Sequence, residues 1–447
     1  MDNSQNKLGV MPIGKLLMVM SVPMMISMFI QALYNVVDSM FVAKISEEAL
    51  AAVGIAFPLQ NVAIAIGVGT GVGITALVPR SLGSGDYETA NRAANVQNFL
   101  CICYSLVFVV IGLVFAKPYY TMQTDDPAII EAGVDYVRIV CAVSVGVFFG
   151  QGLEKLLVAS GYSALSMICQ ASGAVINIVL DPILIFGLGP IPAMGVKGAA
   201  IATVAGQIFA SALALFFNLT KNKTIRFSLK DMVPNIKTLK AIYAVGIPSM
   251  LTVGLSTVMS YCMNQIFLAV GTTATAAFGI WVKLQSFGFM PVYGLNNGSI
   301  AILAFNRGAK KYDRVRKTLK LASIIGVCVS SVIMVFYFAA ARPLFGLFSA
   351  SENMYAIGMA AVRICALSLP FGAYTVILSS SFQSLGNPRN TFLVNMCRQL
   401  IILVPVAWLL SLIGDVRYIW AAFPVADAAT MVIAAGISRR LMKQYAD

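Results

Sequence analysis

Gln31, Tyr34, Asn35 and Asp38 stand at i, i+3, i+4 and i+7 in an otherwise apolar run. At helical periodicity that spacing puts all four side chains on one face. A second polar group follows at Asn177 and Asp181, with Pro182 next to it and Thr203 further on. Two carboxylates, an amide and a hydroxyl make an oxygen-rich set suited to a proton or a hard cation such as Na⁺. Pro182 lacks an N–H, so the carbonyl of Ile178 is open to a side chain, water or an ion. For Asn177 and Thr203 the plainer role is tying helices together. Asp38 and Asp181 are costlier to bury and are the stronger functional candidates.

The elements that must hold these residues follow from composition. Of 447 residues, 59% are hydrophobic and 11% charged, against about a quarter charged in soluble proteins. Runs such as Leu16 to Val42 and Val96 to Ala116 reach the roughly 20 residues that cross a bilayer core. The ten-residue alternation of a β-barrel is absent. The expected class is an all-α polytopic membrane protein of twelve transmembrane helices. Spans are expected near 16–43, 51–79, 95–116, 133–158, 166–187 and 198–218 in the first half. The second half gives 241–269, 275–304, 319–341, 357–384, 393–413 and 419–437. The first run reads as a mature span and not a cleaved signal peptide. An ionisable group at mid-membrane costs roughly 2.5–3.5 kcal/mol, so the stripe on the first helix must face a cavity or another helix.

With the N-terminus cytoplasmic, 22 Lys and Arg residues, Arg398 among them, collect on the cytoplasmic side and 5 on the other. That is the positive-inside bias, and the net charge of +13 then needs no nucleic-acid partner. The expected location is the cytoplasmic (inner) membrane of a prokaryote, with both termini cytoplasmic. The chain has no histidine, and its eight cysteines form no CxxC pair, which removes the usual zinc sites and His-based acid–base catalysis. No phosphate-loop motif occurs. Neither an ATPase subunit nor a cofactor beyond a coupling ion is expected, and the chain is expected not to be an enzyme. Asp86 reads as a helix N-cap.

The halves repeat. Pro23 matches Pro248, 225 positions on, and Gly54, Gly69, Gly73, Gly83 and Tyr87 match Gly279, Gly294, Gly298, Gly308 and Tyr312 at the same offset. Six spans per repeat give both halves the same orientation, hence two six-helix lobes related by a pseudo-twofold axis along the membrane normal. The expected division is 1–220 and 241–447, joined by a cytoplasmic linker at 221–240. Such repeats place a substrate path between the halves. Met28, Gln60, Met259, Met263, Asn264, Lys283 and Gln285 are candidates to line it, methionine being pliable enough to accept several ligands. At the same offset Asp38 falls on Met263 (or Asn264 with a one-residue slip), Asp181 on Val406 and Thr203 on Ala428. The acidic cluster therefore belongs to the first half alone. Glu154 and Lys155, near a span end, read as a local or snorkelling pair, and Asp427 has no assigned role.

Taken together, Tyr34-Asn-Val-Val-Asp38-Ser-Met-Phe-Val, Leu82-Gly83-x-Gly85-Asp86, Asn177-x-x-x-Asp181-Pro182 and Thr203 resemble the multidrug and toxic compound extrusion (MATE) family over essentially the whole chain. The resemblance implies a secondary active exporter that expels cationic or amphiphilic small molecules in exchange for H⁺ or Na⁺ by alternating access. It also implies that Asp38, Asn177, Asp181 and Thr203 form the cation site, with Gln31, Tyr34, Asn35 and Tyr136 in its network. Some relatives carry acids in spans seven and ten. Here span seven has Ser256 and span ten has no acid, which weighs against a second cation site. The chain is expected to act as a monomer among membrane lipids. The alternative reading is a flippase for a lipid-linked saccharide, which a strongly cationic cavity would favour. Only Lys283 offers such a charge.

Overall fold

The computed structural model describes residues 6–346 and 352–443. Among the described residues, nine helices are long and apolar enough to cross a membrane, and two bent pairs make two further spans. In chain order the first half holds α1 (Ile13–Ala43), α2 (Glu47–Gly83), α3 (Tyr87–Thr121), the bent α4 (Pro127–Ala142 and Val145–Ala159), α5 (Ser163–Phe186) and α6 (Val196–Thr220). The second half holds α7 (Ile236–Val270), α8 (Thr272–Gly308), α9 (Tyr312–Ala339), the bent α10 (Ile357–Ala366 and Ser368–Ser384), α11 (Pro388–Ser411) and α12 (Val416–Lys443). The less apolar α8 counts as the twelfth span because it is the counterpart of α2, and both are 37 residues long. The duplication holds in the folded chain: Glu47–Gly83 and Ser163–Phe186 become Thr272–Gly308 and Pro388–Ser411, each moved by 225 residues.

Several helices outrun the apolar stretches because polar caps extend them into the flanking turns. Ser46 Oγ accepts from the Ala49 amide at 3.0 Å, Asp86 Oδ1 from Thr89 at 2.9 Å and Asp126 Oδ1 from Ala128 at 2.8 Å. The expected unbroken spans 133–158 and 357–384 are instead bent by 47° and 42°. The first bend lies at Val143 and Ser144, where Ser144 Oγ turns to the Ser105 carbonyl at 3.3 Å.

The chain forms two compact units, Ile26–Ile247 and Met1–Met25 with Pro248–Asp447. These boundaries differ from 1–220 and 241–447 at the start of each half. Segment 222–228 is tied into the first unit: Asn222 Nδ2 donates to Ser160 Oγ at 2.9 Å, and Asn95 Nδ2 to the Arg226 carbonyl at 2.9 Å. The N-terminal segment is tied into the second, where Asn306 Nδ2 donates to the Leu8 carbonyl at 2.9 Å and Arg314 Nη2 to that of Met11 at 2.7 Å. The duplicated glycines explain the exchange. In the second unit the start of α1 lies along α8, where a Cβ on Gly298 would meet the Met20 carbonyl carbon at 2.9 Å. In the first unit the start of α7 lies along α2, where a Cβ on Gly246 would meet the Gly69 carbonyl oxygen at 3.0 Å and one on Gly73 would collide with Ile242.

A side chain at either seat overpacks it, so Gly298→Val and Gly73→Val each cost about 1–3 kcal/mol. The expected readout is a lower melting temperature in detergent. Gly54→Ala, whose Cβ meets nothing within 4 Å, leaves it unreduced.

Candidate functional site

Inside the first unit lies a cavity of about 350 Å³, a size that admits a drug-like molecule. Helix α1 turns Gln31, Tyr34, Asn35 and Asp38 to it, as the i, i+3, i+4, i+7 spacing requires. Gln60 enters from α2, Tyr136 from α4, Asn177 from α5 and Thr203 from α6. Gln60 Nε2 donates to Tyr136 Oη at 3.0 Å, which fixes the phenol of a residue only 3% exposed.

Asp181 is fully buried one turn beyond Asn177. Asn177 Nδ2 donates to Asp181 Oδ1 at 3.3 Å and to Thr203 Oγ1 at 3.4 Å, joining α5 to α6. That reach exists because the two helices touch at Gly173 and Gly206: a Cβ on Gly173 would stand 2.8 Å from the Gly206 carbonyl oxygen, and one on Gly206 2.6 Å from that of Gly173. The carboxyl groups of Asp38 and Asp181 are close enough to interact electrostatically. Two ionised carboxylates have no donor to share, so the pair holds a proton or accepts a cation between its oxygens. Asp38 Oδ1, Asp181 Oδ2 and the Asn177 carbonyl Oδ1 are buried with no hydrogen-bond partner among the described residues. Three unpaired oxygens around a carboxyl pair present negative charge without its complement.

The expected residues divide. Asp38, Asn177, Asp181, Thr203, Gln31, Tyr34, Asn35, Tyr136 and Gln60 come together in the first unit. Met28 is half-buried there but is not part of the lining. In the second unit Met263 is fully buried, on the face of α7 that also buries Phe267. Met259 and Gln285 are half-buried, Asn264 and Lys283 are exposed, and none of the four lines this cavity. Glu154, which interacts electrostatically with Lys155, also lines the cavity with Gln151, Gln170 and Gln207. The signal was available: Gln170 continues the Asn177–Asp181 stripe backward at i−7, and Gln207 continues that of Thr203 at i+4.

The second unit answers the question of Asp427. Arg398 Nε donates to Asp427 Oδ1 at 2.5 Å and Nη2 to Oδ2 at 3.3 Å. The guanidinium also lies over the Phe289 ring, 5.2 Å from its centre. Arg398 thus sits inside α11 and not in a cytoplasmic loop. Arg398→Gln strands the buried Asp427 charge and is expected to cost about 3–5 kcal/mol. The double change Arg398→Leu with Asp427→Leu recovers most of it, as a melting series in detergent would show.

The family model described as MatE matches residues 23–183 and 248–409, one stretch in each half. The chain is 26% identical over 411 residues to the "Multidrug export protein MepA" of Staphylococcus haemolyticus, covering 92% of this chain and 90% of that protein. It is 24% identical to an "FAD transporter" of Shewanella oneidensis, covering 93% and 92%. Among solved structures, an outward-facing multidrug resistance MATE transporter of the MOP superfamily superimposes with a TM-score of 0.91 at 24% identity, over 98% of each chain. A MOP superfamily transporter from Pyrococcus furiosus, described as having a binding pocket of reverse polarity, superimposes with 0.92 at 23% identity over 100% of each. With both halves matched by the family model, the chain belongs to the MatE family and is a multi-pass MATE efflux transporter.

Proposed function

We propose that this protein is a secondary active antiporter that expels cationic or amphiphilic small molecules in exchange for H⁺ or Na⁺. The observation that carries the reading is the Asp38–Asp181 carboxyl pair with its unpaired oxygens, Asp38 lining the cavity and Asp181 buried behind it. The names of its relatives, multidrug export proteins among them, agree with it. Asp38, Asn177, Asp181 and Thr203 hold the coupling cation, while Gln31, Tyr34, Asn35 and Tyr136 complete the network around it. Phe57, Phe108, Tyr34 and Tyr136 give the same cavity aromatic walls, which suit flat or positively charged compounds. The protein works as a monomer in the inner membrane with both termini cytoplasmic, and carries out transport without an enzymatic step.

Cation binding neutralises the carboxyl pair, and loss of the cation restores its charge. A state that buries the neutral pair is therefore favoured by loading, and differential binding to two states is what couples cation to cargo. One charge moving through 100 mV supplies about 2.3 kcal/mol, enough to sustain roughly a 50-fold gradient of cargo.

The test is ethidium efflux from proteoliposomes under a pH gradient or a Na⁺ gradient imposed separately. Efflux is expected under one of them, with a fall to the protein-free rate in Asp38→Asn and Asp181→Asn at an unchanged gel-filtration profile. Wild-type efflux from Asp38→Asn overturns the assignment.

A further inference from the structure

The link between the halves is held in place and yet leaves its apolar residues uncovered. The Arg226 and Ser228 amides donate to the side-chain oxygens of Asn91 and Asn95 on α3, at 2.8 and 3.0 Å. Beyond a single 3₁₀ turn at Leu229–Met232, Asn235 Oδ1 accepts from the Lys237 amide at 2.9 Å and so caps α7. Val233 and Pro234 are therefore pinned from both sides, immediately before the first turn of a membrane span. There Val233 is 69% exposed and Ile236 66%.

The other half shows what covering such a residue requires. At the repeat offset Val233 corresponds to Leu8, which is fully buried. Asn306 and Arg314 both donate to the Leu8 carbonyl and hold that segment down. Their counterparts are Ser81 and Thr89, which bring neither an amide nor a guanidinium. The first unit lacks the clamp, and Val233 stays outside.

Charge surrounds the uncovered pair. Residues 221–240 carry six Lys and Arg against one acid, Asp231. Lys230, Lys237 and Lys240 are exposed and have no ion-pair partner among the described residues. Along α7 the exposed side chains Ile236, Lys240, Ala244 and Ile247 follow at i, i+4, i+8 and i+11. That is one stripe, and it joins the linker to the outer surface of the span. A lysine in such a stripe lays its methylenes on apolar surface and lifts its ammonium to the level of lipid phosphates.

We propose that the linker is a lipid-docking surface. Val233 and Ile236 enter the headgroup boundary of the leaflet in which α7 begins, and Lys230, Lys237 and Lys240 bind phosphates of anionic phospholipids there. The occupant is the membrane surface and not a soluble anion, because an exposed apolar pair contributes nothing to holding free phosphate. Each lysine near an anionic surface strengthens the attraction about fivefold.

The test places a reporter at the contact. Full-length Val233→Trp protein is reconstituted into vesicles, with wild type correcting for the three native tryptophans. The added emission is expected to be blue-shifted. Dibrominated phosphatidylglycerol should quench it at least about twofold more than the same fraction of dibrominated phosphatidylcholine, and the difference should shrink in high salt. Changing Lys230, Lys237 and Lys240 together to Gln removes the preference, and changing all three to Arg keeps it. No quenching by either lipid overturns the proposal: water-like emission then puts the linker in solution, and blue-shifted emission puts it under a protein partner or a second copy. Equal quenching by the two lipids overturns it too, as does a preference that survives the triple change to Gln.

Discussion

The contact of Gly173 with Gly206 sets the spacing on which the polar centre of the first unit depends. Helices in a bilayer gain little from hiding apolar surface, because lipid is as apolar as they are, so they associate by close packing and by interhelical hydrogen bonds. Two facing glycines let the backbones of α5 and α6 meet. That approach places Asn177 within reach of Thr203, and the same amide holds Asp181. Widening the seat by one methyl group would open the longer of these bonds first. The carboxyl pair is thus positioned by the absence of side chains one turn away.

The two halves use one scaffold for different electrostatics. At the repeat offset Arg398 takes the place of Gly173 and Asp427 that of Ala202. Where the first half leaves acidic oxygens waiting for a positive charge, the second half has a guanidinium already bound to its carboxylate. A bidentate pair of this kind neutralises both members in a medium that tolerates neither alone. The second half therefore carries its cation covalently, as part of the chain.

Much of this was legible in the sequence, and the remainder fails for identifiable reasons. Apolar runs mark the spans because only a helix satisfies its own backbone in lipid, and the stripe from Gln31 to Asp38 faces a cavity as its period demands. The bend at Val143 carries no proline and was read as continuous helix, as was that at Leu367, although Pro370 there has no N–H to bond the Ala366 carbonyl. Counting residues puts Glu154 near the end of its span, but only the packing of α4 shows which face it presents and that it lines the cavity. Arg398 shows the converse: composition says what a residue tolerates, and only packing says what it meets. The exchange of helix starts left no trace, since a constant offset is the same whichever copy of a glycine seat each helix occupies.

That exchange makes each half dependent on the other for its own folding. The gene repeats a six-helix element, yet neither copy as a contiguous stretch contains everything its unit needs. The seat formed by Gly294 and Gly298 receives residues from the beginning of the chain, and the seat formed by Gly69 and Gly73 receives the beginning of the second copy. Cutting the chain at the linker would leave each product with a backbone-wide groove open to lipid and a helix start with nothing to lie against. Two identical copies could close both grooves by trading those starts, so the covalent arrangement is that of an interlocked pair written as one polypeptide.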